Sequence, residues 1–238
     1  MPAMSYRRIL LKLSGESLLG DRETGIDPSA LARFAREIAD ARALPTELAV
    51  LVGGGNLFRG ADLAGHGYDR GTADYMGMLA TVLNGLALMD ALERIGETVR
   101  LVSSIEMEEV AEPYIRRRCI RHLEKGRIVL LTCGLGRAFF STDTAAVQRA
   151  LEMGADVVFK GTRVRGVYDR DPERFPDAKF YEKLTFDEAM AKHLDIVDQA
   201  AFALCRDNRL PLVVFNILEE GNLIKAARGE PVGTLVSD

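Results

Sequence analysis

The 238-residue sequence predicts an α/β fold in which a mostly parallel sheet is covered by helices on both faces. Three observations support this prediction. Short apolar runs rich in Val, Ile and Leu alternate with longer stretches of helical periodicity, as in parallel strands joined by crossover helices. Glycines cluster directly after several of these runs, where open parallel sheets bind their ligands. The hydrophobic fraction of 47% is ordinary for a globular protein and argues against disorder.

The elements of the first half of the chain follow in order. Residues 9–13 are apolar except for Lys12 and predict the first strand. Asp27 and Pro28 suit the N-cap and first turn of a helix, and the residues up to 43 repeat with a helical period. Further apolar runs and periodic stretches predict strands at 48–52, 99–102 and 127–131, and helices at 72–95 and near 114–124.

The second half continues the alternation. A helix is predicted to begin at residues 141–143 (Ser-Thr-Asp) and to end at Gly154. The stretch 163–182 contains two X-Pro pairs and is predicted to be a loop. The remaining patterns predict strands at 156–159, 212–215 and 233–236, and a helix at 198–207. No linker or repeat divides the chain, so we expect a single domain over residues 1–238.

Charge and cysteine content argue against several classes of protein. Lys and Arg number 31 against 35 Asp and Glu, a formal net charge of −4, which argues against a broad basic surface for nucleic acid or acidic membranes. No apolar run approaches the roughly 18 residues of a membrane helix. The three cysteines are isolated, as in proteins of a reducing compartment. We therefore expect a cytoplasmic protein without a polymeric nucleic acid or membrane partner.

Two nucleotide-binding motifs are nearly matched but fail. Residues 53–60 (GGGNLFRG) begin like a dinucleotide fingerprint, but Phe58 stands in place of the third glycine. Residues 15–20 have the spacing of a Walker A loop, but Asp21 and Arg22 follow where Lys and Ser or Thr are required. The sequence therefore favours neither a typical nicotinamide enzyme nor a P-loop NTPase.

Other anion-binding features lie at the predicted strand ends. Lys12 is followed by a small turn at Gly15 and could meet a phosphate or simply reach solvent. Glycines 53–55 could form a nest of N–H donors with Arg59 as a planar clamp, or a turn packed closely for steric reasons. The helix start at 141–143 could be a plain cap or an anion site, where Asp143 could orient Lys12.

These motifs together resemble one family. Residues 12–16 (KLSGE), 53–60 (GGGNLFRG), 74–81 (DYMGMLAT), 140–143 (FSTD), 166–168 (GVY) with Asp171-Pro172, and the tail 229–236 are similar to the bacterial uridylate kinases of the amino-acid kinase superfamily. The resemblance covers essentially the whole chain in one order. It implies a three-layer α/β/α sandwich with a mainly parallel sheet, transfer of the γ-phosphoryl of ATP to UMP, Mg²⁺ with ATP, a homohexamer, activation by GTP and inhibition by UTP.

The resemblance also implies which residues form the site. The UMP-binding half is expected at about 1–150 and the ATP-binding half at about 151–238. The catalytic residues are expected to be Lys12, Arg59 and Asp143. Contacts to ATP are expected from Lys12, Leu13, Ser14, Gly15, Gly55, Arg59, Thr162, Tyr168 and Asp171. Contacts to UMP are expected from Gly54, Asp74 (at the ribose), Leu135, Gly136, Arg137, Ala138, Phe139, Phe140, Ser141 and Thr142. The segment for the effector GTP is Gly20, Asp21, Arg22, Glu23, Thr24 and Gly25. Asp198 resembles a further acidic position without an assigned role.

One segment departs from the family pattern. Residues 134–138 read GLGRA where many members read GTGNP. Leu135 and Ala138 have no side-chain group that could hydrogen-bond a base. Recognition of the pyrimidine is therefore expected to rest on backbone groups of this segment.

The expected mechanism needs no general base, because a phosphate oxygen of UMP is already anionic. Catalysis then consists of aligning two anions and stabilising the charge of the transferred phosphoryl. Lys12 would span that phosphoryl, Asp143 would hold Lys12, and Mg²⁺ would be carried by the nucleotide.

Two alternatives stay open at this point: a kinase of the same superfamily acting on a carboxylate such as aspartate, glutamate or acetylglutamate, and a catalytically silent protein that binds or stores a nucleotide or oxyanion.

Overall fold

A computed structural model describes residues 6–58 and 67–238. The strands in chain order are β1 (Arg8–Leu13), β2 (Glu47–Val52), β3 (Val99–Ser103), β4 (Glu112–Pro113), β5 (Ile128–Thr132), β6 (Val157–Thr162), β7 (Val167–Tyr168), β8 (Phe180–Tyr181), β9 (Lys183–Leu184), β10 (Leu212–Asn216) and β11 (Thr234–Val236). The helices are α1 (Pro28–Arg42), α2 (Arg70–Arg94), α3 (Arg116–Glu124), α4 (Thr142–Met153), α5 (Phe186–Ala191), α6 (Gln199–Asp207) and α7 (Asn222–Ala227). A short 3₁₀ helix covers Gly15–Leu18.

Nine of these strands form one sheet in the order β4-β3-β5-β2-β1-β6-β10-β11-β9. All neighbours from β4 to β10 are parallel, and only the step from β10 to β11 is antiparallel. β7 and β8 form a separate antiparallel pair. The carboxyl ends of β1, β2, β5 and β6 therefore meet at one edge, as ligand sites in parallel sheets require.

Helices cover both faces of the sheet and create two cores. Side chains of β1 alternate between them: Ile9 and Leu11 pack on the face of α1, α2 and α7, whereas Leu10 packs on the face of α3 to α6. Lys12 is two residues after Leu10, so its side chain lies on the second face. Arg8 and Lys12 are the charged residues of β1. The alternation thus directs the Lys12 side chain towards α4.

The long elements predicted from the sequence are confirmed with small shifts at their ends, and the α/β/α sandwich is confirmed with them. The cap predictions also hold: Asp27 accepts from Ala30 N at the start of α1, and Gly154 ends α4 in the left-handed conformation with φ 67°. The helices α5 and α7 and the short strands β4 and β9 were not predicted. The presumed loop 163–182 contains the β7–β8 pair.

Helix α2 is long and apolar enough, by length and composition alone, to cross a membrane. In the structure, Leu88 and Leu92 on one of its sides pack into the core of the α1 face. Another side remains exposed, where Tyr75, Leu79 and Leu83 are 44%, 51% and 52% accessible at helical spacing. The apolar composition of α2 therefore reflects two surfaces, one in the core and one exposed.

Candidate active site

A cleft of about 310 Å³ opens at the carboxyl edge of the sheet. Its walls are the segments after β1, β2 and β5, residues 74–81 of α2 and the start of α4. Most residues predicted to contact a nucleotide lie there: Lys12, Ser14, Gly15, Gly54, Gly55, Asp74, Leu135, Arg137, Phe140, Ser141 and Thr142. The topology alone brings these distant parts of the chain together.

A second, smaller cleft adjoins the first at the end of β6. It is lined by Ser17, Lys160, Gly161, Thr162 and Arg163, and it shares Lys12, Ser14 and Glu16 with the first cleft. Lys12 therefore lies where the two clefts meet. An arrangement of this kind can hold two anionic ligands with one cation between them.

Two lysines and one aspartate form the charged centre of the site. The Lys12 Nζ lies 3.1 Å from Asp143 Oδ1, and the Lys160 Nζ donates to Asp143 Oδ2 at 2.7 Å. Lys160 also donates to the Ile196 carbonyl at 2.6 Å. The three charged side chains are mostly buried. The structure thus brings Asp143 against Lys12, as its expected orienting role requires, and adds a second lysine.

The electrostatics of Asp143 follow from this contact. Burial alone would raise the pKa of the Asp143 carboxyl. The positive charges of Lys12 and Lys160 outweigh that effect, so its pKa lies below the ordinary value. The carboxylate is therefore ionised at neutral pH, and the cluster carries one net positive charge for an anionic ligand.

Close packing requires glycine at positions in the turns after β1 and β2. A Cβ on Gly15 would lie 2.8 Å from Gly53 O, and a Cβ on Gly54 would lie 2.6 Å from Gly77 O on α2. Gly53 N donates to Leu13 O at 2.8 Å and is not free to bind a ligand. None of glycines 53–55 has a positive φ. Of the two interpretations of this turn, close packing therefore explains Gly53 and Gly54. The N–H of Gly53 is not available as a donor in an anion-binding nest.

The segment after β5, residues 133–140, has an unusual backbone. Positive φ angles occur at Cys133 (60°), Gly134 (53°), Gly136 (70°) and Phe139 (70°). Outside groups hold it: Thr81 Oγ1 accepts from Cys133 N at 2.7 Å, and Asp74 Oδ2 accepts from Phe139 N at 2.8 Å. A backbone of this kind needs such anchors, because φ above zero is costly for Cys and Phe.

Comparison with known proteins identifies the family. The model of the amino acid kinase family matches residues 7–216. The chain belongs to the amino acid kinase family. It is 52% identical over 236 residues to the uridylate kinases of Xanthomonas oryzae pv. oryzae and Xanthomonas euvesicatoria pv. vesicatoria, covering 99% of this chain and 98% of each relative. These relatives confirm the resemblance that the motifs indicated.

Solved structures agree. The UMP kinase from Bacillus anthracis superposes with a TM-score of 0.95 at 39% identity, covering 98% of this kinase and 97% of that chain. The UMP kinase from Ureaplasma parvum superposes with a TM-score of 0.92 at 32% identity, covering 99% and 100%. The fold is therefore the one that the sequence resemblance implied.

Asp74, expected at the ribose of UMP, lines the first cleft with part of its carboxylate already engaged. Its Oδ1 accepts from Arg70 Nε at 2.9 Å, one turn away on α2, and its Oδ2 accepts from Phe139 N. A carboxylate oxygen can accept a second hydrogen bond, so both oxygens retain capacity for a ligand. In this kinase Asp74 therefore joins α2 to the segment 133–140 at the mouth of the cleft.

Asp198, to which the sequence assigned no role, fastens two helix starts to each other. It caps α6 by accepting from Ala200 N and Ala201 N at 3.0 and 3.1 Å, and it accepts from the hydroxyls of Ser141 and Thr144 at the start of α4. Burial would raise the pKa of Asp198, but these hydrogen bonds lower it below its usual value. Ser141 in turn caps α4 through Asp143 N and Thr144 N. Asp198 thereby steadies the turn that carries Asp143.

Several predicted contacts lie away from the clefts. Leu13 is fully buried in the core, so only its backbone could meet ATP. Phe139 is 72% exposed, and neither it nor Gly136 and Ala138 line the cleft. Tyr168 packs on Phe180 in the β7–β8 pair, outside both clefts.

Asp171 and the effector segment occupy local turns. Asp171, an expected ATP contact, accepts from Glu173 N at 2.9 Å in a local turn. Within the segment 20–25, Thr24 Oγ1 and Gly25 N each donate to Asn56 O at 3.0 Å. The predicted GTP segment is thus attached to the turn after β2. Arg59 lies outside the described residues.

Lys160 is a site residue that the sequence indicates only as additional positive charge after the predicted strand 156–159, without a role towards Asp143. Its register partner on β1 is Lys12, the pair being aligned across the β1–β6 ladder. The available signal was a lysine near the end of an apolar strand, followed directly by Gly161; Lys12 has a similar position three residues before Gly15. Without the pairing of β1 with β6, that signal could not place Lys160 beside Asp143.

Proposed function

We propose that this kinase transfers the γ-phosphoryl of ATP to UMP, giving UDP and ADP. The observation that carries the proposal is the Lys12–Asp143–Lys160 cluster at the junction of two clefts, because phosphoryl transfer requires two anions to meet at positive charge. The identity of 52% with uridylate kinases over nearly the whole chain supports UMP as the acceptor.

In this proposal UMP occupies the larger cleft. Asp74 holds the ribose, and Ser141 and Thr142 hold the α-phosphate at the start of α4, where the helix dipole favours an anion. The base is proposed to lie beside the part of the segment 133–140 that lines the cleft, which includes the side chains of Leu135, Arg137 and Phe140. ATP places its phosphates along Ser14, Gly15 and Gly55 and towards Thr162 in the smaller cleft.

Lys12 then acts on the transferred phosphoryl, since it is the cation shared by both clefts. Asp143 holds the Lys12 ammonium in place, and Lys160 supplies further positive charge towards ATP. The phosphate oxygen of UMP attacks the γ-phosphorus and ADP leaves with the bond electrons, so no proton has to be abstracted. Arg59 completes the phosphate contacts in the same proposal.

Mg²⁺ is proposed to accompany ATP rather than to bind a protein site of its own. Within residues 6–58 and 67–238, no group of three or more His, Cys, Asp or Glu side chains is arranged to hold a metal ion. Mg²⁺ commonly binds through phosphates and water with one or two carboxylates. When bound, it would neutralise phosphate charge, and the residues named above would position the nucleotide around it.

Regulation and assembly belong to the same proposal. GTP would activate through residues 20–25, whose hydrogen bonds to Asn56 connect them to the turn after β2, and UTP would inhibit. The exposed Tyr75, Leu79 and Leu83 of α2 give the proposed homohexamer an apolar surface for contact between copies. A cytoplasmic location stays a prediction from the sequence.

An ADP-release assay with a panel of acceptors tests the proposal. We expect ADP formation from ATP with UMP, none with aspartate, glutamate or acetylglutamate, and a higher rate when GTP is added. Turnover with one of the carboxylates instead of UMP would contradict the choice of acceptor. Tight ATP binding without UMP-dependent ADP release would indicate a silent nucleotide-binding protein.

A further inference from the structure

The segment 133–140 must present its peptide groups in a defined direction if the proposed UMP kinase recognises uracil through backbone. Gly134 lines the cleft and, having no side chain, does so with its backbone. Cys133 and Gly134 both have positive φ, so the peptide direction differs from that of an ordinary loop. A side chain that hydrogen-bonds the Gly134 carbonyl therefore fixes the orientation of its peptide group, and with it the backbone that Gly134 presents to the cleft.

Ser104, directly after β3, supports the segment at two points. Its Oγ donates to the Gly134 carbonyl at 2.7 Å. Its own carbonyl lies against Gly136, where an added Cβ would come within 2.5 Å. Ser104 N also donates to Thr132 O at 3.2 Å, which ties the residue to the end of β5. Ser104 thus contacts the backbone of the turn at both Gly134 and Gly136, and Gly134 lines the cleft.

Arg149 of α4 controls the direction of the Ser104 hydroxyl. Its Nη2 donates to Ser104 Oγ at 2.9 Å, and its Nη1 donates to Glu152 at 2.6 Å. The guanidinium is 3.5 Å from the centroid of the Tyr114 ring, whose hydroxyl donates to the same Glu152 carboxylate. Arg149 is only 8% exposed, so it cannot exchange these partners for water. Because arginine can only donate, the hydroxyl hydrogen of Ser104 is left to the Gly134 carbonyl.

We propose that Ser104 and Arg149 are positioning residues that orient the Gly134 peptide, and that they thereby set the affinity for UMP and the discrimination between pyrimidine nucleotides. The inference rests on the proposed function. Neither residue lines the cleft, so both act through the segment 133–140. Two other contacts, Thr81 with Cys133 and Asp74 with Phe139, hold the two ends of the segment, while Ser104 holds Gly134.

Steady-state kinetics of Ser104→Ala test the proposal. Loss of one hydrogen bond that orders the binding segment is expected to raise the KM for UMP about fivefold to tenfold. The kcat and the KM for ATP are expected to stay within about twofold, since Lys12, Asp143 and Lys160 do not contact Ser104. The ratio of kcat/KM for UMP over CMP is expected to fall in the variant.

A double-mutant cycle tests whether Arg149 acts through Ser104. Arg149→Lys keeps the positive charge beside Glu152 but not the two-pronged geometry, and should also raise the KM for UMP. If Arg149 acts through the hydroxyl, the double variant Ser104→Ala/Arg149→Lys should have nearly the same KM as Ser104→Ala alone. Independent, additive effects of the two substitutions on the KM for UMP would show that Arg149 does not act through Ser104.

Thr46→Val is the matched control. The buried Thr46 hydroxyl also donates to a backbone carbonyl, that of Ala41 at 3.1 Å, but far from the cleft. We expect Thr46→Val and Ser104→Ala to lower the Tm by similar amounts, with the KM for UMP raised only in Ser104→Ala. An unchanged UMP KM in Ser104→Ala, or an equal rise for ATP, would overturn the inference alone. A wild-type enzyme that forms no ADP with UMP would overturn the proposed function and the inference with it.

Discussion

Lys12 of β1 and Lys160 of β6 are register partners on neighbouring parallel strands, and both ammonium groups contact the carboxylate of Asp143. The strand ladder fixes the spacing of the two lysines, because a shift of one residue would turn every side chain of β1 to the opposite face. The core of the sheet therefore determines the geometry of the charged centre. This arrangement leads to the first two predictions.

Lys12→Ala is expected to lower kcat by about a hundredfold or more, with a much smaller change in the KM for UMP. The lysine stabilises charge that develops on the transferred phosphoryl and contributes less to ground-state binding. Turnover of UMP and ATP over a range of concentrations measures both constants. Lys192→Ala, at an exposed lysine after α5, serves as the control and should behave as wild type. Near-normal kcat in Lys12→Ala would exclude the residue from the chemistry.

Asp143→Asn is expected to destabilise the fold by about 3 kcal/mol at neutral pH, because two mostly buried lysines lose their shared counter-charge. The pKa of Asp143 in the folded protein lies below its ordinary 3.8. Its contribution to stability is therefore complete above that ordinary value and is lost as the pH falls through the lowered value. Urea denaturation of both proteins should show a difference that is constant near neutrality and shrinks in strong acid. A difference that instead grew on acidification would contradict the ion-pair account.

Asp74→Asn is expected to raise the KM for UMP more than the KM for ATP. The amide cannot accept from Arg70, the Phe139 peptide and a ribose hydroxyl with two charged oxygens as the carboxylate can. Kinetics with each substrate varied in turn measure the effect. Asp90→Asn, which removes an exposed charge paired with Arg94 on the same helix, is the control. Equal effects on both substrates would place Asp74 outside the UMP contacts.

Asp198→Ala is expected to cost about 2–3 kcal/mol of stability, because it removes the cap of α6 and the acceptor for two hydroxyls of α4. It should also lower kcat, since the turn that carries Asp143 loses its support. Thermal unfolding and turnover measure the two effects. Thr185→Ala, which removes the cap of α5 away from the clefts, should cost about 1 kcal/mol and leave kcat unchanged. A stable, fully active Asp198→Ala would show that Ser141 alone orders the start of α4.

Sequence periodicity was sufficient for the long elements because each buries a repeating apolar face. It was not sufficient for β4, β7, β8 and β9, since a strand of two residues has no period to detect. The helices α5 and α7, of six residues each, are also too short for a reliable apolar repeat. In α5 the local signal was a capping box of Thr185 and Glu188, which the predictions did not use.

The residues of the site also divide into those that could be placed from the sequence and those that could not. Lys12, Gly54 and Ser141 could be placed at one edge from the sequence, because each follows or ends an element whose direction in a parallel sheet is known. Lys160 and Asp198 could not, since their contacts depend on which strands and helices are neighbours. Ser104 and Arg149 carried no local signal, because their role consists only of a contact with a segment about 30 residues away from Ser104 along the chain.

The nine-stranded sheet ends on both sides in a strand of two residues, β4 at one border and β9 at the other. Pro113 of β4 has no N–H to offer, and Lys183 of β9 places an exposed charge at the opposite border. Few backbone groups are therefore left for a strand from another molecule, so the sheet resists growth into intermolecular β-structure. Copies of this kinase are accordingly expected to meet through their helices, and the border strands protect a large, strongly apolar sheet from aggregation.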